Sequence, residues 1–294
     1  MKKIGLLLIA ASILFACDPI ENRMDTGTTT ITADDLKISA TPVMKESAEN
    51  PGTQVRSNYI QLNSEGNPVL SSWFYGTGTY VGTNGIVQVV VPGKQTITFT
   101  GLGPDGTKLT KDVEVEVDEC FDVAPQWGYL CGEGSKVWTW NEERNLVYGK
   151  GAYLSDTAPT WWKVTIDGTD GADVTEKVEN IIPGEGPGAT MEFSVVGSAF
   201  VKTRTDGSKQ NGSFSFSYTE ADVVPDAGGN PWAEGTLNMS GATVLAGVNT
   251  DDGKAPVYSY HILRLTDEYL NLAFAPPGSG AWDGAFFWQF KAKE

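Results

Sequence analysis

Short runs of β-branched and aromatic residues, separated by turn-forming residues, restrict this chain to an all-β fold. The run VEVEV at 113–117 alternates strictly, so its valines share one face of a strand and its glutamates share the other. Turn signals such as NSEGN, PGK and GPDG separate the runs, and the chain contains 34 glycines and 15 prolines. We therefore expect strands joined by frequent turns, with one helical turn over the polar stretch 173–180.

The distribution of tryptophan predicts two domains in this chain of 294 residues. The runs between 36 and 118 are those of a small β-sandwich. Eight of the nine tryptophans lie beyond residue 120, where the strand-like runs continue almost to the end. This second half predicts a larger, jelly-roll-like sandwich. The expected boundaries are 35–119 for the first domain and 120–294 for the second.

The first residues have the organisation of an export signal. Lys2 and Lys3 precede an apolar run over 4–15, which is shorter than the roughly 20 residues that a membrane-spanning helix needs. The run leads into LFAC, which ends at Cys17 and resembles a bacterial lipobox. The resemblance implies removal of residues 1–16 and lipidation of Cys17; an ordinary signal peptide with a chance cysteine is the alternative. The polar segment 17–34 is expected to be a flexible tether.

The balance of charge excludes some classes of partner. The formal net charge is −16, and a surface this acidic repels nucleic acid and anionic headgroups. It also argues against a polyanionic glycan. We therefore expect no nucleic-acid partner, and attachment to a membrane only through the lipid.

Two further cysteines, Cys120 and Cys131, lie close together in the sequence. In an exported chain such a pair can form a disulfide, which is the prediction here. Two buried thiols are the alternative, because the separation of the two Cα atoms cannot be obtained from the spacing. The sequence has no CxxC motif or Cys/His cluster, which argues against structural zinc.

No arrangement of catalytic residues is evident. The single histidine, His261, lies in a strand-like run and is expected to pack there, and the chain has no GxSxG motif. Glu114 and Glu116 fall on the solvated face of an alternating strand. We therefore expect no enzymatic activity. A glycoside hydrolase, which needs two carboxylates about 5–10 Å apart, is the less favoured alternative.

Three aspartates, Asp167, Asp170 and Asp173, stand at regular spacing in a glycine-rich segment. Hard oxygen ligands on a flexible loop suit Ca²⁺, so this segment is a candidate structural calcium site. Aspartate and glycine are also what tight turns require, and a plain turn is the favoured interpretation. Apart from this calcium site, we expect no cofactor.

The tryptophans divide into core and surface candidates. Trp138 and Trp140 alternate on one strand, as do Phe286, Trp288 and Phe290, and both sets are predicted to be core. Trp161 and Trp162 are adjacent, so one of them should be exposed. Trp232 and Trp282 lie in loops rich in glycine and proline, where a large ring is either exposed for binding or folded back as a lid.

Exposed tryptophan and tyrosine rings stack on the C–H faces of sugars. We therefore expect a glycan-binding platform in the second domain. Its candidate aromatic residues are Trp161, Trp162, Trp232, Trp282 and Tyr153, and its candidate hydrogen-bonding residues are Asp283, Asn230 and Glu234.

Two segments of the first domain, WFYGTG at 73–78 and PGKQTITF at 92–99, resemble PKD-like, immunoglobulin-type repeats. The aspartates that this family carries between the glycines are missing. The resemblance implies an immunoglobulin-like sandwich that acts as a spacer, and it leaves a ligand role for this domain in doubt.

The second half carries KVWTW at 136–140, GKGAY at 149–153, APTWW at 158–162 and WDGAFFWQF at 282–290. This layout resembles the C-terminal domains of surface lipoproteins encoded beside glycan-import systems of the starch-utilisation type in Bacteroidota. The resemblance implies non-catalytic binding of a neutral oligo- or polysaccharide and its delivery to an outer-membrane import complex. A structural or adhesin lipoprotein that binds protein partners is the alternative.

The acidic residues Asp18, Glu21 and Asp25 follow the lipid site. They resemble the signal that sends such lipoproteins to the outer face of the outer membrane. The expected location is therefore the outer membrane, with the protein anchored by its lipid and facing the exterior.

Overall fold

A computed structural model describes residues 31–144, 146–168 and 171–293 of the chain. The predicted signal peptide, Cys17 and the tether up to residue 30 lie outside the described residues, so lipidation stays a prediction. Nearly all regular structure is β-strand, which confirms the predicted all-β sandwich fold. In the part of the chain that the structure describes, no helix is long and apolar enough to cross a membrane.

Two antiparallel sheets form the first folded unit. Its strands are β1 (Ser39–Glu46), β2 (Gln54–Asn63), β3 (Leu70–Phe74), β4 (Thr79–Val81), β5 (Asn84–Gln88), β6 (Gly93–Leu102) and β7 (Lys108–Val117). The sheet orders are β1-β2-β5 and β4-β3-β6-β7. Val115 and Val117 are buried while Glu114 and Glu116 are exposed, as the alternation predicts. The enclosed core centres on Trp73.

A second, larger set of elements follows. In chain order these are α1 (Gln126–Cys131), β8 (Ser135–Trp140), β9 (Tyr148–Ala152), β10 (Trp162–Thr165), β11 (Ala172–Asp173), α2 (Val174–Ile181), β12 (Thr190–Ser194), β13 (Ala199–Thr203), β14 (Lys209–Ser217), β15 (Val224–Pro225), β16 (Pro231–Ala233), β17 (Gly235–Ser240), β18 (Val248–Asn249), β19 (Ala255–Pro256), β20 (Ser259–Leu265), β21 (Tyr269–Phe274) and β22 (Gly284–Ala292). Short 3-10 turns occur at Ala33–Asp35, Val196–Ser198 and Glu220–Asp222. Helix α2 confirms the helical turn predicted over 173–180, whereas α1 was not predicted.

One sheet of the second unit closes on itself. Its strand order is β8-β12-β13-β14-β17-β20-β21-β22, and β22 then pairs with β8 again. Leaving aside the strands outside the ring, each ring strand pairs with the ring strand that follows it in the chain, so the connectivity of the ring is an up-and-down meander. This order refines the predicted jelly-roll-like sandwich, in which strands distant in sequence would pair.

The last strand, β22, holds the two ends of the ring together. Residues 290–292 of β22 pair with β8, and residues 284–288 pair with β9. Strands β8 and β9 therefore lie end to end along β22, with the segment 141–147 between them. Strands β10 and β11 extend the sheet outward from β9.

The interior of the closed sheet is filled with tryptophan and other aromatic side chains. Trp138, Trp140 and Trp288 are buried in it, as the sequence predicts. Each of their indole N–H groups donates to a carbonyl of a helix or loop: Trp138 to Leu130 (2.9 Å), Trp140 to Glu185 (2.8 Å) and Trp288 to Ala246 (3.2 Å). The core tryptophans thus also fasten the segments that close the ends of the sheet.

The two remaining cysteines are free thiols, so the predicted disulfide is not formed in this structure. Cys120 packs against the core of the first unit, whereas α1 places Cys131 in the core of the second. Burial raises the pKa of the Cys120 thiol to about 11 and that of Cys131 to about 12, which keeps both protonated and unreactive near neutral pH.

A buried ion pair joins the sheet to the loops that close one end of it. Lys202 on β13 and Glu185 after α2 are both buried, with Nζ 2.7 Å from Oε1. Oε2 of Glu185 accepts the backbone N–H of Ala246 at 2.8 Å, and Arg204 approaches Oε1 at 3.3 Å. Burial lowers the pKa of Lys202, and the charge of Glu185 opposes that shift. Each charge therefore depends on its partner to remain in the interior.

We expect the substitution Glu185→Gln to lower the free energy of unfolding by about 3–5 kcal/mol, because it leaves the Lys202 ammonium buried without a counter-charge. The double variant Glu185→Gln/Lys202→Met should recover most of that loss, since neither charge is then present. Urea unfolding of the single and double variants measures both effects.

Glu49→Gln serves as the control for this prediction, because Glu49 is an exposed glutamate of the first unit. A Glu185→Gln variant that unfolds at the same urea concentration as this control would contradict the role given to the ion pair.

Candidate functional site

Two tryptophans are exposed where β22 begins. The exposed fractions of the side chains are 56% for Trp161 and 66% for Trp282. Trp161 lies beside Gly284, where an added Cβ would be 3.6 Å from its Cζ3. We call Trp161, Trp282 and Gly284 the tryptophan patch. The adjacent residue Trp162 is half-buried against the core, so the prediction that only one of the pair would be exposed is confirmed.

The backbone of Trp282 is in the left-handed region, with φ of 71°. A bulky residue is strained there, and such strain persists only where the surroundings impose it. Tyr153 supplies part of that constraint, because its carbonyl accepts the Trp282 N–H at 2.9 Å and its own N–H donates to Asp283 at 2.8 Å. Oδ2 of Asp283 accepts the N–H of Gly280 at 2.6 Å. The exposed indole therefore stands on a rigid turn.

Lys150, the lysine beside the patch, is paired with an acidic residue. The Lys150 ammonium forms an ion pair with Asp251, and it also lies 5.2 Å from the centroid of Phe286. The backbone N–H of Trp161 donates to the carbonyl of Lys150 at 2.9 Å. The charge of Lys150 is thus neutralised, and the exposed carboxylate of Asp283 adds a negative charge beside Trp282.

Trp232 does not join this patch, so its predicted place in the binding platform is wrong, and of the two alternatives for its loop the structure shows the lid. Its exposed fraction is 4%, and its indole N–H donates to the carbonyl of Asp156 at 2.7 Å. The ring packs edge-on against Tyr153, with 5.1 Å between centroids, and against Phe287 on the outer face of β22. Trp232 is therefore a lid that covers the sheet from outside.

The other predicted hydrogen-bonding residues are dispersed. The backbone N–H of Asn230 donates to Asp226 at 2.9 Å within the turn between β15 and β16. Glu234 is exposed and lines a separate pocket of about 490 Å³, together with Arg144, Arg264 and Asn271. Of the predicted platform, only Trp161, Trp282 and Asp283 with the backbone of Tyr153 are brought to the start of β22. Sequence reasoning missed the arginines and Asn271, because isolated polar residues in strands carry no motif.

The calcium prediction stays untested. Asp170 lies outside the described residues, while Asp167 and Asp173 lie within them. In the part of the chain with described coordinates, no group of three or more histidine, cysteine or acidic residues is placed to hold a metal ion.

His261 packs beneath the Trp232 lid, with ring centroids 5.5 Å from Trp232 and 5.9 Å from Tyr153. Its Nδ1 is buried and has no hydrogen-bond partner within the described ranges. Desolvation by burial lowers the pKa of His261 below its ordinary value of 6.5. The histidine is therefore neutral at neutral pH and packs as part of the lid.

We expect the imidazole C2–H resonance of His261 to titrate below 6.5 in an NMR pH series, and the assignment is unambiguous because the chain has one histidine. The unfolded chain then binds the proton more tightly than the folded chain. Stability is accordingly complete above about pH 6.5 and decreases as the pH falls from there toward the folded-state pKa.

The variant His261→Leu should lack this component of the pH dependence of stability. The measurement is urea unfolding above pH 6.5 and again at a lower pH, near the folded-state pKa. A wild-type resonance that titrates at or above 6.5 would show that the imidazole is accessible and not part of a closed lid.

No known protein-family model and no curated protein matches this chain.

Proposed function

We propose that this chain is a lipoprotein of the outer-membrane surface that binds a neutral oligo- or polysaccharide without cleaving it, and that the tryptophan patch is its binding surface. The observation that carries the proposal is the pair of exposed indoles at the start of β22, one of them on a left-handed backbone. Large exposed rings reduce solubility, and backbone strain of this kind concentrates at functional sites.

The chemistry of the patch suits a neutral sugar. The flat faces of indoles stack on the C–H faces of pyranose rings, and such stacking needs no charge. Gly284 has no side chain, so the ring of Trp161 can lie close against the strand. The carboxylate of Asp283 is exposed beside Trp282 and offers acceptor oxygens for sugar hydroxyls.

The remainder of the proposal follows from the N-terminal signal. Lipid on Cys17 would anchor the chain, the sandwich of β1–β7 would hold the second unit away from the membrane, and captured glycan would pass to an import complex. A protein-binding lipoprotein is the second candidate. It is favoured by exposed Leu70 and Leu102, which are direct neighbours across β3 and β6.

We expect Trp161→Ala and Trp282→Gly each to weaken polysaccharide binding by about 10-fold or more, which corresponds to about 1.4 kcal/mol of lost stacking. Glycine is chosen at Trp282 because it tolerates the positive φ without strain. The measurement is retardation in native gels that contain amylopectin, xylan, galactomannan or mixed-linkage β-glucan, with a thermal midpoint for each variant.

Tyr258→Ala is the matched control, since Tyr258 is an exposed aromatic residue outside the patch. It should be retarded like the wild type. A double variant Trp161→Ala/Trp282→Gly that is still fully retarded would exclude the patch. Release of reducing ends would show a hydrolase, and no retardation of the wild type in any gel would favour the protein-binding candidate.

A further inference from the structure

Three amide side chains form a row across the outer face of the closed sheet. Asn271 and Gln289 are direct neighbours on β21 and β22, and the backbone N–H of Asn141, just after β8, donates to the carbonyl of Gln289 at 3.0 Å. The residues on either side of Gln289 point into the core, so Gln289 points outward. All three amides are nonetheless buried, with exposed fractions of 1% for Asn141 and Gln289 and 7% for Asn271.

The amide row is largely unsatisfied within the described ranges of the chain. Both terminal atoms of Asn141, Oε1 of Gln289 and Oδ1 of Asn271 are buried without a hydrogen-bond partner there. Each such group costs about 1–3 kcal/mol when nothing bonds to it. Nε2 of Gln289 does donate, to the carbonyl of Thr157 at 3.3 Å. Packing alone would have favoured apolar residues here, and Asn271 is the member of the row that lines a pocket.

Asn271 leads from this row into the pocket of about 490 Å³, which Arg144, Arg264, Glu234 and Thr157 also line. That volume is within the range of about 300–1,000 Å³ that is usual for small-molecule sites. Thr157 follows Asp156, whose carbonyl accepts the indole N–H of Trp232, and Glu234 lies two residues after Trp232. The pocket therefore lies at the edge of the Trp232 lid.

The arginines identify the charge of the ligand. The structure describes four arginines, of which Arg56 is paired with Asp118 and Arg204 with Glu185. The other two, Arg144 and Arg264, both line this pocket, and neither forms an ion pair with a described residue. In a chain with 37 acidic and 21 basic residues, two unpaired guanidinium groups at one pocket are a local excess of positive charge. Glu234 offsets only one of them.

The guanidinium of Arg264 is held in place by an aromatic ring. Its Cζ lies 4.6 Å from the ring centroid of Tyr269, which fixes one face of the group. Its N–H donors lie in the plane of the group and stay available. A planar fork of donors fits a carboxylate, to which it can donate two parallel hydrogen bonds.

We propose that this pocket binds a hydroxylated carboxylate of the size of a uronic acid, either as the free acid or as the terminal unit of an oligosaccharide. Arg144 and Arg264 receive the carboxylate. Asn271 and Glu234 bond to the hydroxyl groups, the amide as donor through Nδ2 and the carboxylate as acceptor. This site is independent of the tryptophan patch, because Gln289 lies five positions beyond Gly284 on β22, about 16 Å along the strand.

The test is isothermal titration calorimetry of the full mature chain with glucuronate and galacturonate, with glucose and galactose as the neutral counterparts. We expect a uronate to bind at least about 10-fold more tightly than its neutral counterpart, and binding to weaken as salt is added. A uronate-terminated disaccharide distinguishes the free acid from the end of an oligosaccharide as the ligand. If the disaccharide binds more tightly than the free acid, the ligand is an oligosaccharide end. If the two bind equally, the ligand is the free acid. Equal binding of uronate and neutral sugar, or no binding of either uronate, would overturn the proposal.

Substitutions of the residues that line the pocket test whether uronate binds there. Arg264→Gln and Arg144→Gln change exposed side chains that form no ion pair with a described residue, so both should fold, and each should weaken uronate binding by about 10-fold or more. Asn271→Leu should lose binding while its thermal midpoint stays equal or rises, because an isosteric apolar group removes the unsatisfied amide oxygen. Uronate binding that is unchanged in both arginine variants would exclude this pocket.

The variant Trp161→Ala/Trp282→Gly separates this proposal from the proposed function. It should bind uronate like the wild type even where it no longer binds polysaccharide. If it loses both, the uronate lies at the tryptophan patch and the pocket proposal fails.

Discussion

The pairing of β22 with β8 is the constraint on which the second unit depends. It closes the sheet, so that β8 and β22 have no free edge at that junction to pair with other chains. It also creates an enclosed interior, which the chain fills with indole and phenyl rings, and the indole N–H groups donate to carbonyls of the closing loops. The buried pair of Lys202 and Glu185 then fixes those loops against the sheet.

Closure makes β22 a strand with two buried faces. Phe286, Trp288 and Phe290 point into the interior, while Phe287 on the outer face is covered by the Trp232 lid. A strand buried on both sides can present function only at its ends or where the cover stops. Both candidate sites agree with this constraint: the tryptophan patch lies at the start of β22, and the pocket is lined by Asn271, the neighbour of Gln289 of β22.

Local alternation predicted which residues share a face, and it predicted correctly the core tryptophans and that one of the pair Trp161 and Trp162 is exposed. It could not predict that the outer face of β22 is covered, because the covering segments lie far away in sequence. Whether Trp232 is exposed for binding or folded back as a lid therefore stayed open at the level of the sequence. No sequence pattern indicates that β8 meets β22, and a polar residue on an alternating strand looks solvated whether or not a loop buries it. Asn271 and Gln289 were missed for that reason.

Net charge and local charge act over different distances, and this determines which acidic ligands the protein can accept. The formal charge of −16 repels a polyanion along its whole length. Salt screens this repulsion beyond about 8–10 Å, whereas two guanidinium groups inside a pocket act on a carboxylate at contact. A chain end with a single carboxylate can therefore enter where an extended polyanion is rejected. If the pocket binds a uronate as proposed, the acidic surface and the basic pocket would together select for glycans that are neutral along their length and carry a carboxylate only at one terminal unit.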